Sequence, residues 1–135
     1  MKLVLWGGAM LLVTAQMAWA DEDCGDKSSQ TEMNICAGEA YKKSDAELNK
    51  VYKQLQARLK ADVAKAKLLT NAQRAWIGYR DAECKFNGAG AEGGSLYPFL
   101  INSCLTDTTN GRIKDLKGYL TCDEGDTACS APAAK

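Results

Sequence analysis

Six cysteines in a short chain are the feature that most restricts what this sequence can fold into. They occur at positions 24, 36, 84, 104, 122 and 129. In a small exported protein, an even number of cysteines is typical of a disulfide framework. None of them has the C-x-x-C spacing of a redox-active or haem-attachment site, so structural disulfides are favoured.

More than one pairing of these cysteines is compatible with the sequence. Pairing each cysteine with its nearest neighbour predicts Cys24–Cys36, Cys84–Cys104 and Cys122–Cys129. A chain that folds back near residues 60–67 would also bring Cys36 and Cys84 to the same end of a helical bundle, so that pairing stays open. The Cys84–Cys104 bridge is the most favoured, because it would close the base of a glycine-rich loop.

The first twenty residues have the pattern of a secretory signal peptide. Lys2 precedes an apolar run from Leu3 to Val13, and Ala18-Trp19-Ala20 fits a cleavage site. The apolar run is too short to span a bilayer comfortably. Cys24 does not occupy the first position after the predicted cleavage, so no lipid anchor is expected. The sequence therefore predicts a protein of the periplasm or the cell exterior, without a membrane anchor.

Removal of residues 1–20 leaves 115 of the 135 residues, which is enough for one domain. We expect a helical domain over residues 21–121 and an acidic tail, rich in small residues, over 122–135. The full chain carries 17 basic and 17 acidic side chains, and loss of Lys2 leaves a net charge of about −1. Because no basic stripe is present, nucleic acid is not an expected partner.

Two helices are predicted from apolar residues that recur at three- and four-residue steps. Ser29 and Glu32 fit a capping box at the start of the first helix. Its stripe consists of Ala37, Tyr41, Ser44, Leu48, Val51, Tyr52, Leu55 and Leu59. The second stripe consists of Leu68, Leu69, Ala72, Ala75, Trp76, Tyr79 and Phe86. A change in stripe direction predicts a turn within residues 60–67.

A third helix is predicted after the glycine-rich stretch. Ser95 can cap it, Pro98 is tolerated in its first turn, and Gly111 can mark a kink. Its imperfect inner face consists of Leu96, Leu100, Cys104, Thr108, Ile113, Leu116 and Leu120. The predicted fold is all-α, a small up-down bundle of three helices stapled by disulfides.

The segment "NAQRAWIGYRDAEC", residues 71–84, places polar groups on faces that should meet the other helices. A helical projection puts Trp76, Tyr79 and Glu83 together, and an adjoining stripe contains Arg80 and Cys84. An inward carboxylate at position 83 would need a donor or a cation.

These polar residues are interpreted as structural contacts between the helices inside the domain. Arg112 on the third helix is the predicted partner of Glu83, and Asp45 or Asn49 on the first helix is the predicted partner of Arg80. Catalysis is disfavoured, since the chain has no histidine, which excludes Ser-His, Cys-His and histidine-bearing metal sites. No catalytic residue, metal or cofactor is predicted.

The glycine-rich segment of residues 87–94 has two interpretations. It can be a plain connection between helices, or a protruding element that contacts another protein. In the second case Asn87, Glu92, Ser95 and Tyr97 supply the polar and aromatic contacts. A disulfide at the base of the loop would lower the cost of ordering it on binding.

The strings "DAELNKVY" and "QRAWIGYRDAEC", together with the cysteine spacing and Thr109-x-x-Arg112, resemble the LprI-like lysozyme-inhibitor family. The resemblance covers about residues 24–120. It implies a small, helical, disulfide-linked exported domain, and the family's namesake is credited with inhibition of host-type lysozyme. The namesake looks like a lipoprotein, whereas this chain has no lipobox cysteine, so membrane anchoring is not expected of it.

The expected function is that of an exported inhibitor of lysozyme or of a related peptidoglycan-lytic enzyme. It would act by steric blocking of the cleft in which such enzymes hold their two carboxylates. The expected partner is therefore a protein, and no enzymatic activity is expected of the chain itself. The alternative is a non-inhibitory periplasmic interaction module that binds an envelope protein or neutralises a toxin.

Overall fold

The computed structural model describes residues 23–123 and 125–133. Its three α-helices are α1 (Gln30–Arg58), α2 (Val63–Gly88) and α3 (Tyr97–Leu120). Single 3₁₀ turns lie at Cys24–Asp26 and Ala89–Ala91, and the described residues contain no β-strand. The predicted all-α three-helix fold is confirmed. The predicted signal peptide of residues 1–20 lies outside the described residues.

The ends of α1 follow from local hydrogen bonds. The Ser29 hydroxyl accepts the backbone N–H of Glu32 at 3.2 Å, as the predicted cap requires. The helix ends at Arg58, and α2 starts only five residues later. There the Asp62 carboxylate accepts the backbone N–H of Lys65 at 3.0 Å. The turn thus falls at the beginning of the interval predicted for it, and it sets α2 antiparallel to α1.

Helix α3 starts differently from the prediction. Leu96 occupies the position before the helix and makes no side-chain capping bond. Ser95 instead presents its backbone carbonyl to α1, where it accepts a hydrogen bond from Asn34 Nδ2 at 2.9 Å. The predicted Ser95 cap is therefore wrong, because Pro98 in the first turn already removes one of the N–H groups that a cap would satisfy. The helix continues through Gly111 without a break.

The hydrophobic core lies between α1 and α3, which have the most extensive helix–helix contact. Its buried members are Leu48, Val51, Leu55, Leu59, Ile113, Leu116 and Ala131. Leu48, Val51 and Leu55 lie on α1 and Leu59 directly follows it, at steps of three and four residues, as the predicted stripe requires. Trp76 of α2 is partly buried and packs against the same cluster.

Three disulfides link Cys24 to Cys36, Cys84 to Cys104 and Cys122 to Cys129. Their Cα–Cα distances are 5.5, 5.5 and 5.4 Å, within the usual range for such bonds. The nearest-neighbour pairing is confirmed, and the Cys36–Cys84 alternative is wrong. Cys36 is held by the short 3₁₀ turn before α1, whereas Cys84 faces α3.

The segment after α3 does not behave as a simple tail. Ala131 is 1% exposed and belongs to the core, and Cys129 is buried as well. Arg58 Nη1 donates to the carbonyl oxygens of Leu120 at 2.7 Å and Ala131 at 3.2 Å. The composition of residues 122–135 predicted a tail, because the segment is mostly polar. One small apolar side chain and one disulfide are enough to hold it against the bundle. No helix in the described part of the chain has the length and apolar character needed to cross a membrane.

Candidate functional site

Helix α2 turns its polar side toward the bundle. Its buried residues are Gln73, Arg80, Cys84 and Gly88, which recur at steps of seven and four residues. Because Cys84 must reach Cys104 on α3, the disulfide fixes the rotation of α2 about its axis. The residues that share the face of Cys84 are then directed inward, whatever their polarity.

Arg80 is the centre of this polar contact and is only 7% exposed. Its guanidinium lies between two rings, 5.6 Å from the centroid of Tyr41 and 5.1 Å from that of Trp76. Its Nε donates to Asp81 Oδ1 at 2.9 Å, and its Nη1 lies 3.6 Å from Asp45 Oδ1. Two carboxylates and two aromatic faces therefore compensate the loss of hydration around a buried cation. The predicted Asp45–Arg80 pair is present.

Asn49 supports this arrangement from α1 without contacting the guanidinium. Its side-chain amide donates to the Asp45 backbone carbonyl at 2.8 Å and to the Asp45 carboxylate at 3.2 Å. The same cluster affects a neighbouring phenol. Burial raises the pKa of Tyr41, and the positive charge of Arg80 opposes that rise.

The predicted contact between Glu83 and Arg112 is wrong. Glu83 is exposed. Arg112 Nε instead donates to Gln73 Oε1 at 3.0 Å, and its guanidinium lies 5.9 Å from the centroid of the Trp76 ring. An amide thus meets Arg112 where a carboxylate was expected. The physical reason is the rotation imposed by Cys84, which carries position 83 toward solvent.

The same rotation exposes much of the apolar stripe that sequence analysis assigned to the core. Leu68, Tyr79 and Phe86 are 68%, 60% and 80% exposed. Together with three exposed alanines they form what we call the outer stripe: Leu68, Ala72, Ala75, Tyr79, Ala82 and Phe86. These positions share one helical face about 27 Å long. An exposed row of this kind is a candidate contact surface for another molecule.

The glycine-rich connection lies at the end of α2. The glycine-rich composition predicted a loop at Asn87 and Gly88, but both belong to the last turn of the helix. A Cβ at Gly88 would come within 2.7 Å of Ile101 Cδ1, so a glycine lets α2 approach α3 closely. Gly93 has φ = 80°, a conformation that side chains disfavour. The Cys84–Cys104 bridge holds the base of this connection, as predicted.

The predicted contact residues share this end of the molecule but differ in exposure. Asn87, Glu92 and Ser95 are exposed, whereas Tyr97 is half-buried. The ring of Tyr97 lies beside Gly88, with Cε2 3.2 Å from the position of a Cβ there. Tyr97 thus packs within the molecule. The described residues contain no group of three or more histidine, cysteine or acidic side chains arranged to hold a metal ion.

These features define a class of protein: a small all-α domain, crosslinked by disulfides, with an exposed apolar stripe along one helix. The chain belongs to the family described as lysozyme inhibitor LprI, whose model matches residues 20–116. The resemblance inferred from the sequence motifs is thereby confirmed.

Two relatives cover most of the chain. An uncharacterized protein of Rhizobium meliloti is 43% identical over 115 residues, which span 77% of this chain and 83% of the relative. The uncharacterized protein YecT of Escherichia coli is 29% identical over 123 residues, spanning 78% and 76% of the two chains. No solved structure matches the chain significantly.

Proposed function

We propose that this protein is an exported inhibitor of lysozyme or of a related peptidoglycan-lytic enzyme, and that it acts by covering the partner's cleft. The observation that carries the proposal is the match of residues 20–116 to the lysozyme inhibitor family. Three disulfides are consistent with an oxidising compartment, where such an enzyme would be met. Blocking requires no chemistry from the inhibitor, only a rigid surface of suitable shape and charge.

The surface that we assign to this contact is the loop end, which consists of Tyr79, Glu83, Phe86, Asn87 and Glu92. All five residues are exposed. Exposed aromatic side chains supply much of the binding energy in protein interfaces. The two carboxylates suit a cationic enzyme, since opposite charges speed encounter. An aromatic pair flanked by carboxylates is therefore well suited to a basic, peptidoglycan-binding partner.

The loop end is also held in shape before any partner arrives. The Cys84–Cys104 bridge ties α2 to α3, and the bond from Asn34 to the Ser95 carbonyl ties the connection to α1. Tyr97 packs beside Gly88 at the end of α2. A preformed surface loses less conformational entropy on binding, so more of the contact energy appears as affinity.

A turbidity assay with peptidoglycan-containing cells, lysozymes of several types and the purified, oxidised protein tests this function. We expect inhibition that saturates near one-to-one stoichiometry and weakens as salt is raised. Absence of inhibition of every lysozyme at micromolar excess would refute the proposal. It would leave the non-inhibitory interaction module as the working hypothesis.

A pair of matched substitutions tests the assigned surface separately. Phe86→Asp introduces a charge at the loop end, and Val63→Asp makes a similar change at the opposite end of α2, where Val63 is also exposed. We expect Phe86→Asp to weaken inhibition at least about tenfold, as loss of an interface anchor does. Val63→Asp should leave inhibition unchanged. Equal potency of the two variants would remove the loop end from the proposal while sparing the activity.

A further inference from the structure

A groove opens at the end of the molecule opposite the loop. It lies between the first half of α2, the C-terminal parts of α1 and α3, and residues 127–131, with a volume of about 400 Å³. Leu55 of α1 and Leu59, the residue directly after α1, line one side, and Leu68 and Leu69 of α2 line the other. This volume lies within the range of small-molecule sites, which are concave and mostly apolar.

The charged side chains that line the groove, within the described residues, are all positive. Lys65 and Arg112 line it, and among the described residues no carboxylate does. Arg112 donates to the neutral Gln73 amide and stacks near Trp76, and within residues 23–123 and 125–133 it makes no salt bridge. A half-buried guanidinium without a carboxylate partner favours an anion. Lys65 lies 3.6 Å from Asp62 Oδ2, but Asp62 is outside the groove lining.

We propose that this groove binds a single-chain alkyl carboxylate. The carboxylate would lie between Arg112 and Lys65, and the chain would lie along the leucines. The anionic head of such a ligand would meet the cationic side chains of the groove, and its apolar chain would meet the leucines. It does not depend on lysozyme inhibition, because the loop end lies at the other end of α2.

The wall formed by the C-terminal segment is fixed before a ligand enters. The Cys122–Cys129 bridge closes that segment, and Arg58 holds the carbonyl oxygens of Leu120 and Ala131 at 2.7 and 3.2 Å. Ala131 is buried against the core. A preformed groove spares the ligand the cost of ordering its own site.

The test is a titration of the oxidised, full-length mature protein with octanoate, decanoate and dodecanoate below their micellar concentrations. Calorimetry gives the affinity, and fluorescence of Trp76, beside Arg112, reports occupancy of the groove. We expect one-to-one binding that tightens by up to about fourfold for each added CH₂ group, the factor equivalent to about 0.8 kcal/mol per buried methylene. Acetate should not bind, and 1-decanol should bind more weakly than decanoate.

Two matched lysine substitutions locate the site. Lys65→Glu reverses a charge in the groove lining, and Lys67→Glu makes the same change on another face of α2, outside the lining. Both lysines are exposed, so both variants should fold. We expect Lys65→Glu to weaken decanoate binding about tenfold, as a change from attraction to repulsion at short range does. Lys67→Glu should change it less than about twofold.

Several outcomes would overturn the proposal. These are absence of saturable binding of decanoate and dodecanoate, equal binding of decanoate and 1-decanol, and equal effects of the two lysine substitutions. A further arm uses phosphatidylglycerol vesicles. Binding to vesicles without binding of free dodecanoate would assign the cationic groove to a membrane surface and reject the alkyl carboxylate site.

Discussion

Helix α3 meets α1 mainly through aliphatic side chains. Helix α2 adds Ala66 and Leu69 to that core, but its buried residues also include an arginine and an amide. Leu55 and Leu116 are almost completely buried at the first interface. At the second, Arg80 lies between two aromatic rings and Gln73 binds Arg112. The comparison shows that α1 and α3 supply most of the hydrophobic stability. Helix α2 is attached by specific contacts, which leaves its apolar side available to partners.

The largest expected effect belongs to the aliphatic interface. Leu116→Ala should lower the free energy of unfolding by about 4 kcal/mol, because a fully enclosed leucine leaves a cavity. The matched change Leu68→Ala, at an exposed leucine of α2, should cost less than about 0.5 kcal/mol. Urea unfolding followed by circular dichroism measures both. Similar losses for the two variants would show that α2 contributes to the core as much as α3 does.

The crosslink between α2 and α3 comes next. Replacement of both Cys84 and Cys104 by serine should cost about 3 kcal/mol, from the loop entropy that the bridge removes in the unfolded chain. Hydrogen exchange should rise most at the end of α2 and in the following connection. Exchange that rises equally at Leu48 and Ile113, in the α1–α3 core, would contradict separate attachment of α2.

The stacked arginine should have a smaller effect. Arg80→Ala should cost about 2 kcal/mol, since it removes two cation–π contacts and the ion pairs with Asp45 and Asp81. The emission of Trp76 should shift to longer wavelength, because the indole ring becomes more exposed to solvent without Arg80. The matched control Arg74→Ala, at an exposed position of the same helix, should change stability by less than about 0.5 kcal/mol. If the two variants had the same stability, the contacts of Arg80 would not contribute to holding α2 against the other helices.

The smallest expected effect is at the outer stripe. Phe86→Ala should change the free energy of unfolding by no more than about 0.5 kcal/mol, because the ring is largely exposed already. The same urea experiment measures it, beside the inhibition assay. A loss of unfolding free energy near that of Leu116→Ala would mean that Phe86 packs inside the molecule. The outer stripe would then not be an exposed surface.

The sequence predicted α1 well and α2 poorly, for different physical reasons. The stripe of Leu48, Val51 and Leu55 is regular and has no polar interruption, so apolar periodicity correctly indicated its inward face. On α2 the same rule selected Tyr79 and Phe86, which lie outward. Periodicity assumes that the apolar side is the buried side, and a stacked arginine breaks that assumption.

One signal in the sequence indicates the true orientation of α2. Cys84 has to face its disulfide partner, and Gln73, Arg80 and Gly88 lie on the same helical face as Cys84. A predicted disulfide therefore fixes the rotation of a helix more firmly than its apolar pattern does. The fold-back of Ala131 had no comparable signal, because a single small residue after a polar stretch carries no periodicity.

The folded-back C-terminal segment has a consequence for where this domain ends. The family match stops at residue 116, inside α3, yet Ala131 fills space among the leucines of α1. A protein truncated at the family boundary would lack Leu120 and Ala131, and the leucines that these residues cover would become more exposed. We therefore expect the sequence after residue 116 to determine the shape of the groove at this end of the domain.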